Sequence, residues 1–331
     1  MIKLLLKRKD KYNIGIVGST GLVGRCLIKL LENSNIQIDN LYLFASSKSK
    51  GKKIKFKDKE YIITELTPSY YNKIDIYFFT SNSDVSKEHI PKLLNYQNLI
   101  IDNSSYYRMN KYVPLIMPYV NINQCYNKQL ISNPNCSTIQ VVQVVNIINK
   151  LFKVKKINYN TYQAVSGSGI KGILDLKNKK NDFYPYLINK TCIPQIGEKD
   201  VLNYTSEEIK MINETNKILN NKFFITSTCV RVPIEIGHGV SIYIETKKKI
   251  NLDRLLSEFK KEKNIVIKDD LENNIFPTSI DTFNNSNIYV GRIRKPNNNT
   301  LLLYTASNNL LTGAASNALE IAEKYIENIK Y

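Results

Sequence analysis

The sequence predicts an α/β fold in two parts, a doubly wound parallel sheet first and an α+β domain after it. Three observations carry this expectation. A glycine turn, GSTGLVG at residues 18–24, joins a strand-like YNIGIV to an amphipathic LVGRCLIKLL. Strand-like and helix-like segments then alternate up to the cysteine at 136, the pattern of a parallel sheet covered on both faces. Beyond about residue 152, strand-like segments dominate and are separated by longer insertions. A chain of 331 residues is long enough for two cores of ordinary size.

The first strand runs from Tyr12 to Val17. The helix after it places Leu22, Val23, Cys26, Leu27, Leu30 and Leu31 at helical spacing. Further strands are read at IDNLYLFAS, at IDIYFFT (residues 74–80) and at NLIIDNSS, with a helix near 84–95. A helix is expected from Cys136 to about Phe152. KINYNTYQAVSG, KFFITSTCVRVPI, VSIYIETKK, NIYVGRIRK and TLLLYTAS then read as strands of a larger, mixed sheet. An amphipathic helix follows Gly313 and closes the chain.

Composition narrows the function classes. Apolar runs such as VVQVVNIINKLF are broken by polar residues well short of membrane-spanning length. The start, MIKLLLKRKDKYN, has an apolar stretch too short for a secretory signal, so a cytoplasmic location is expected. Five cysteines without a C-x-x-C pair, and only two histidines, argue against a zinc site or a disulfide framework; no metal is expected. The net charge of +18 is compatible with nucleic-acid binding or with scattered surface lysines. The lysines are spread along the length in short clusters, which favours the second reading.

Gly18, Gly21 and Gly24 lie where a dinucleotide site needs a tight turn opening onto a helix N-terminus. An NAD site commonly places a carboxylate at the end of the second strand; here Ser46, Ser47, Lys48 and Ser49 offer hydroxyls and a cation, which suits the 2′-phosphate of NADP. Cys136, in SNPNCSTIQ, opens a helix; taken alone it reads first as a buried inert thiol, and otherwise as a nucleophile whose thiolate the dipole and unpaired N–H groups would stabilise while polarising an acyl oxygen. CVRVPIEIGHG brings Arg231 and His238 into one strand–turn segment.

Together with these, DNSSYYRM, YQAVSGSG, IPQIG, SEEIKMINETNKIL and NNLLTGAASNALEIAE follow in order over nearly the whole chain. The set resembles aspartate-semialdehyde dehydrogenases. The resemblance implies reduction of L-4-aspartyl phosphate by NADPH, with release of phosphate, to aspartate semialdehyde on the route to lysine, threonine and methionine. It implies a homodimer whose Rossmann-type NADP-binding domain, residues 1–136, is completed by 308–331, with a catalytic and dimerisation domain at 137–307. It makes Cys136 the nucleophile, His238 the acid/base and Gln163 a substrate-placing residue. Arg231 would bind the substrate carboxylate and Glu207 its ammonium, while Arg108, Asn103 and Lys210 would hold phosphate. Asn309 would lie near the nicotinamide amide. Ser19, Thr20, Leu22 and Val23 join the glycines in the cofactor set, as do Ser166 and Gly167.

The chain departs from the family pattern in TSNSD (Ser81 and Asn82), at Tyr119 in place of a common Glu, at Ser168 in place of Ala, and at Lys48 in place of a frequent Arg. The nearest rival, N-acetyl-γ-glutamyl-phosphate reductase, shares the thioester chemistry; NPNCST and the carboxylate of Glu207 argue against it. A nucleic-acid-binding role lacks any aromatic-basic motif, and neither nucleic acid nor membrane is an expected partner.

Overall fold

In the computed structural model, which describes residues 5–329, the opening strand forms as β1 (Tyr12–Val17) and leads into α1 (Leu22–Leu31). The basic-apolar start of the chain falls in part on residues 1–4, outside the described residues. β2 (Ile38–Phe44), β5 (Ile76–Phe79) and β6 (Leu99–Asp102) follow where strands were expected, with α2 (Ser83–Leu93) between the last two. A short helical turn, α3 (Pro118–Asn121), precedes β7 (Leu130–Ser132). Every residue of β5, β6 and β7 is buried, as fits parallel strands covered on both faces.

In this sheet the short β7 was not expected, and neither were two further strands. β3 (Lys53–Phe56) and β4 (Lys59–Thr64) form an antiparallel hairpin at the edge of the sheet. Its turn carries Lys57 at φ 52°, and most of its residues are exposed or half-buried, so it reads as a polar loop. The seven-stranded order is β3-β4-β2-β1-β5-β6-β7.

α4 (Cys136–Phe152) leads to β8 (Val154–Gln163), then α5 (Gly169–Asn178), α6 (Ser206–Ile218), β9 (Phe224–Arg231) and β10 (His238–Thr246). α7 (Leu252–Lys261) and the short β11 (Ile265–Ile267) come before the hairpin of β12 (Ile288–Asn297) and β13 (Thr300–Ser307). The sheet order is β11-β12-β13-β10-β8-β9, mixed as expected. It has six strands against seven in the first sheet, so it is not the larger by strand count. Its extra reach comes from strand length, with up to ten residues in β8 and β12.

The last helix, α8 (Ser316–Glu327), follows a π-helical turn at Leu311–Ala315. Ala318, Leu319, Ile321, Ala322 and Tyr325 bury themselves in the same core as Leu27, Ile28 and Leu31 of α1. Residues therefore group into two compact units, one of 1–134 with 314–331 and one of 135–313. These divisions lie two residues before the expected one at 136 and six after the expected one at 308, and place Cys136 in the second unit.

Candidate active site

Strand order in the second unit brings the chemistry to one end of its sheet. β9, β8, β10 and β13 are successive neighbours; Arg231 pairs with Gln163, Gly239 with Tyr162, and His238 with Ser307. Arg231, Gln163 and His238 thus sit side by side, and all three are buried. The main chain after β8 is the common brace. Arg231 Nη1 donates to Ala164 O at 2.6 Å, and the Ala164 N–H donates to His238 Nδ1 at 3.0 Å. With Nδ1 accepting, the neutral imidazole carries its proton on Nε2. That atom is buried without a hydrogen-bond partner, as is Arg231 Nε. A Cβ added at Gly167 would lie 2.9 Å from Arg231 Nη1 and 3.6 Å from His238 Nε2, so the bare backbone there leaves room in front of both.

Cys136 is the first residue of α4, and Asn135 is its N-cap. Asn135 Oδ1 accepts from Ser137 N at 2.9 Å and from Thr138 N at 3.3 Å. Those two N–H groups are therefore committed to the cap rather than left to polarise an acyl oxygen, as the sequence had suggested; the helix dipole remains. Asn135 Nδ2 in turn donates to Glu207 Oε1 at 2.8 Å, and Gln163 Nε2 donates to the same oxygen at 3.2 Å. Lys210 Nζ holds Glu207 Oε2 at 3.2 Å, so the i, i+3 pair on α6 satisfies itself here. A Cβ at Gly313 would meet Cys136 Cβ at 2.6 Å; only glycine lets the chain pass the cysteine at this point. Both ends of the Asn309 amide are engaged, Oδ1 by the Gly237 N–H at 2.9 Å and Nδ2 by Ser166 Oγ at 2.9 Å.

Burial and then the Arg231 charge push His238 down to about 3, with Glu207 opposing. Burial alone would push the Glu207 carboxyl up, but Lys210, Asn135 and Arg231 together hold it below the usual carboxylate range. Protonating His238 is harder in the fold than in the unfolded chain. The stability it contributes is complete above the ordinary histidine value of 6.5 and is lost as pH falls toward about 3. Stability should drop by about 1.5 kcal/mol between pH 6.5 and about pH 5, with a further loss lower down as Glu207 takes up a proton. Denaturant melts across that range test this: His238→Asn should flatten the upper part of the curve, and an unchanged slope would remove His238 as its cause.

The first unit holds the remaining expected residues. Gly18 ends β1 at φ +92°, and a Cβ there would strike Ser81 N at 2.9 Å. The N–H groups of Gly18 and Ser19 both go to Phe44 O of β2, which leaves the start of α1 to face an anion. No side chain caps α1 at Gly21, as an anion site requires. A cleft of about 460 Å³ opens here, lined by Gly18, Thr20, Gly21, Ser46 and Asn82 among others. Ser47, Lys48 and Ser49 form a 3-10 turn just past Ser46 and do not line this cleft. Glu65, following β4, does line it and pairs with Lys50 at 3.2 Å. The sequence showed no carboxylate at the end of β2; this one arrives from the unexpected neighbouring strand.

Asn103 and Arg108 meet beyond the end of β6, where Arg108 Nη2 donates to Asn103 O at 2.6 Å. Asn103 Oδ1 accepts from Asn133 Nδ2 at 2.8 Å, and Asn133 Oδ1 from Asn317 Nδ2 of α8 at 2.6 Å. Among the described residues no cluster of three or more His, Cys, Asp or Glu could hold a metal ion. No described helix is long and apolar enough to cross a membrane.

Comparison with known proteins assigns this architecture. Residues 145–312 match the dimerisation domain of semialdehyde dehydrogenase, and residues 13–128 its NAD binding domain. An aspartate-semialdehyde dehydrogenase of Aquifex aeolicus is 38% identical over 334 residues, covering 96% of this chain and 98% of its own. The chain belongs to the aspartate-semialdehyde dehydrogenase family. A Helicobacter pylori member is likewise 38% identical, over 96% of this chain and 99% of its own. A solved aspartate-semialdehyde dehydrogenase II from Vibrio cholerae, complexed with ASA, is 30% identical with a TM-score of 0.92, covering 97% of this chain and 99% of its own.

Within the family pattern the departures have local structural accounts. Asn82 in TSNSD caps α2, its side chain accepting from Val85 N at 3.2 Å. Ser168 accepts from the Tyr184 hydroxyl at 2.9 Å. The Tyr119 ring lies under the Lys324 ammonium of α8 at 4.6 Å. Beyond the expected residues, Asn135 and Gly313 adjoin Cys136, and Glu65 lines the cleft of the first unit.

Proposed function

We propose that the chain is an NADP-dependent aspartate-semialdehyde dehydrogenase that works through a Cys136 thioester, in the supply of lysine, threonine and methionine. The observation that carries this is the convergence on one sheet end of a buried arginine, a buried histidine with its donor atom unpartnered, and a glutamine, all in the unit whose first helix starts at a cysteine. The Cys136 thiolate, favoured by the α4 dipole, attacks the acyl carbon of aspartyl phosphate; the C–O bond to phosphate breaks and phosphate leaves with its electron pair. NADPH, when bound, supplies the hydride that reduces the thioester carbon. The neutral His238 directs its Nε2–H at the carbonyl oxygen and stabilises the oxyanion as charge develops there, so it serves as a donor rather than a base in this arrangement. Collapse of the thiohemiacetal breaks the C–S bond, forms the aldehyde and restores the cysteine.

Arg231 presents Nε and Nη2 to the substrate carboxylate while Nη1 stays on Ala164 O. Glu207 takes the substrate ammonium, and Lys210, Arg108 and Asn103 take the phosphate. The first unit is the NADP-binding domain: the glycine turn, the α1 N-terminus and Ser46 fit a dinucleotide, and Lys50 neutralises Glu65 beside it. The second unit is the catalytic and dimerisation domain, and the chain works as a homodimer. Its edge strand β9 exposes Phe224, and β8 beside it exposes Tyr162, which supports a surface of this kind.

Phosphate-dependent oxidation of aspartate semialdehyde, followed with NADP and with NAD, tests the proposal. NADP reduction that needs phosphate and exceeds that with the N-acetylglutamate analogue is expected. Absence of phosphate-dependent turnover, or preference for the N-acetyl substrate, would overturn it.

A further inference from the structure

We propose that Glu214 is a positioning residue for the Cys136 nucleophile, acting through the backbone of Asn135. The inference rests on the reading of Cys136 given above. Glu214 is 1% exposed, and its Oε2 accepts the Asn135 N–H at 2.6 Å. Glu207, seven residues earlier on α6, accepts from the Asn135 side chain at 2.8 Å. Two turns of helix, roughly 10 Å of rise, thus deliver two carboxylates to one residue, one to its main chain and one to its amide. Asn135 passes the constraint on, since its Oδ1 caps Ser137 and Thr138 and its own carbonyl is bonded directly to the nitrogen of Cys136.

Lys217, three residues on, answers the Glu214 charge, but packing among apolar neighbours does not call for a glutamate here. Met211 and Ile218, on the same face of α6, are buried apolar residues, and Thr138 Oγ1 reaches Met211 Sδ at 3.7 Å across the α4–α6 seam. A carboxyl group between them is costly to bury unless its hydrogen bonds are made. The 2.6 Å bond goes to the residue that precedes the nucleophile. α6 is then a rigid bar with the ammonium site at one end and the nucleophile's anchor two turns away, both meeting at Asn135.

Two conservative variants separate geometry from charge. Glu214→Gln removes the charge but keeps a carbonyl oxygen at the same reach; Glu214→Asp keeps the charge but withdraws the acceptor by one methylene. In the phosphate-dependent assay Glu214→Gln should retain kcat within about threefold of the wild type, while Glu214→Asp should lose about tenfold or more, because a misplacement of about 1 Å at a reacting group is that expensive in rate. KM for aspartate semialdehyde and the NADP affinity should stay within about twofold in both, marking a loss in the chemical step. Wild-type kcat in Glu214→Asp, equal impairment of both variants, or a loss confined to KM would each overturn the positioning role. A wild-type protein with no phosphate-dependent turnover would instead overturn the activity itself, so the two failures are distinct.

Discussion

Cys136→Ser is expected to reduce turnover to near background while NADP still binds. The serine fits where the cysteine does, at the first position of α4 beside Gly313, so the fold has no reason to change. What is lost is the nucleophile: an alcohol stays protonated near neutral pH, and the helix dipole that favours a thiolate does little for it. The other cysteines divide into two kinds. Burial pushes Cys125 and Cys229 up to about 12 and raises Cys26 above its ordinary value, so these three should be inert to alkylation. Cys192 is exposed and will react with a thiol reagent as readily as its accessibility allows. The decisive measurement is peptide mapping of alkylated protein against residual activity. Inactivation should track Cys136, be slowed by aspartyl-phosphate analogues, and persist in Cys192→Ser. Loss of activity that follows Cys192, or substantial turnover in Cys136→Ser, would end the thioester mechanism.

Arg231→Lys should lower kcat/KM by about 1.5–3 kcal/mol, roughly 10- to 150-fold. Nη1 braces Ala164 O at 2.6 Å, and in the proposed role the unpartnered Nε and the remaining amino group would together hold the carboxylate. An ammonium is a single point and serves one partner well, not both. Because Ala164 also donates to His238, loosening it should disturb the histidine as well as the substrate clamp. A folded Arg231→Lys with unchanged kcat/KM would remove Arg231 from substrate binding.

The residues whose chemistry needs a special backbone were the legible ones. A glycine turn between a strand and a helix, a cysteine after Asn-Pro-Asn, and a histidine after Ile-Gly each leave a local mark in the chain. Strands with a continuous apolar run, such as IYFF in β5, were legible for the same reason. The β3–β4 hairpin was not, because its lysines and half-exposed faces carry no apolar period to read. β7 and β11, of three residues each, are too short for any period to register. Glu65 stayed hidden with its hairpin. Glu214 stood within a segment that pointed to the family, and its spacing from Glu207 was visible. That both meet one asparagine depends on α4 and α6 packing together, which no local pattern records. The state of His238 was equally out of reach, since it depends on the Ala164 N–H arriving from just past the end of β8.

The place of α8 in the chain bears on how the protein is made. Its apolar residues close the core over α1, yet they leave the ribosome some 180 residues after β7. At ordinary synthesis speeds that is an interval of roughly 10–40 s. Throughout it, the nascent first sheet has an open apolar face, while the second unit, contiguous from 135 to 313, is translated without interruption. The later-synthesised unit is therefore expected to finish folding first, and the glycine-turn unit to wait for the tail. A chain stalled after Gly313 should bind a hydrophobic dye that the released protein excludes.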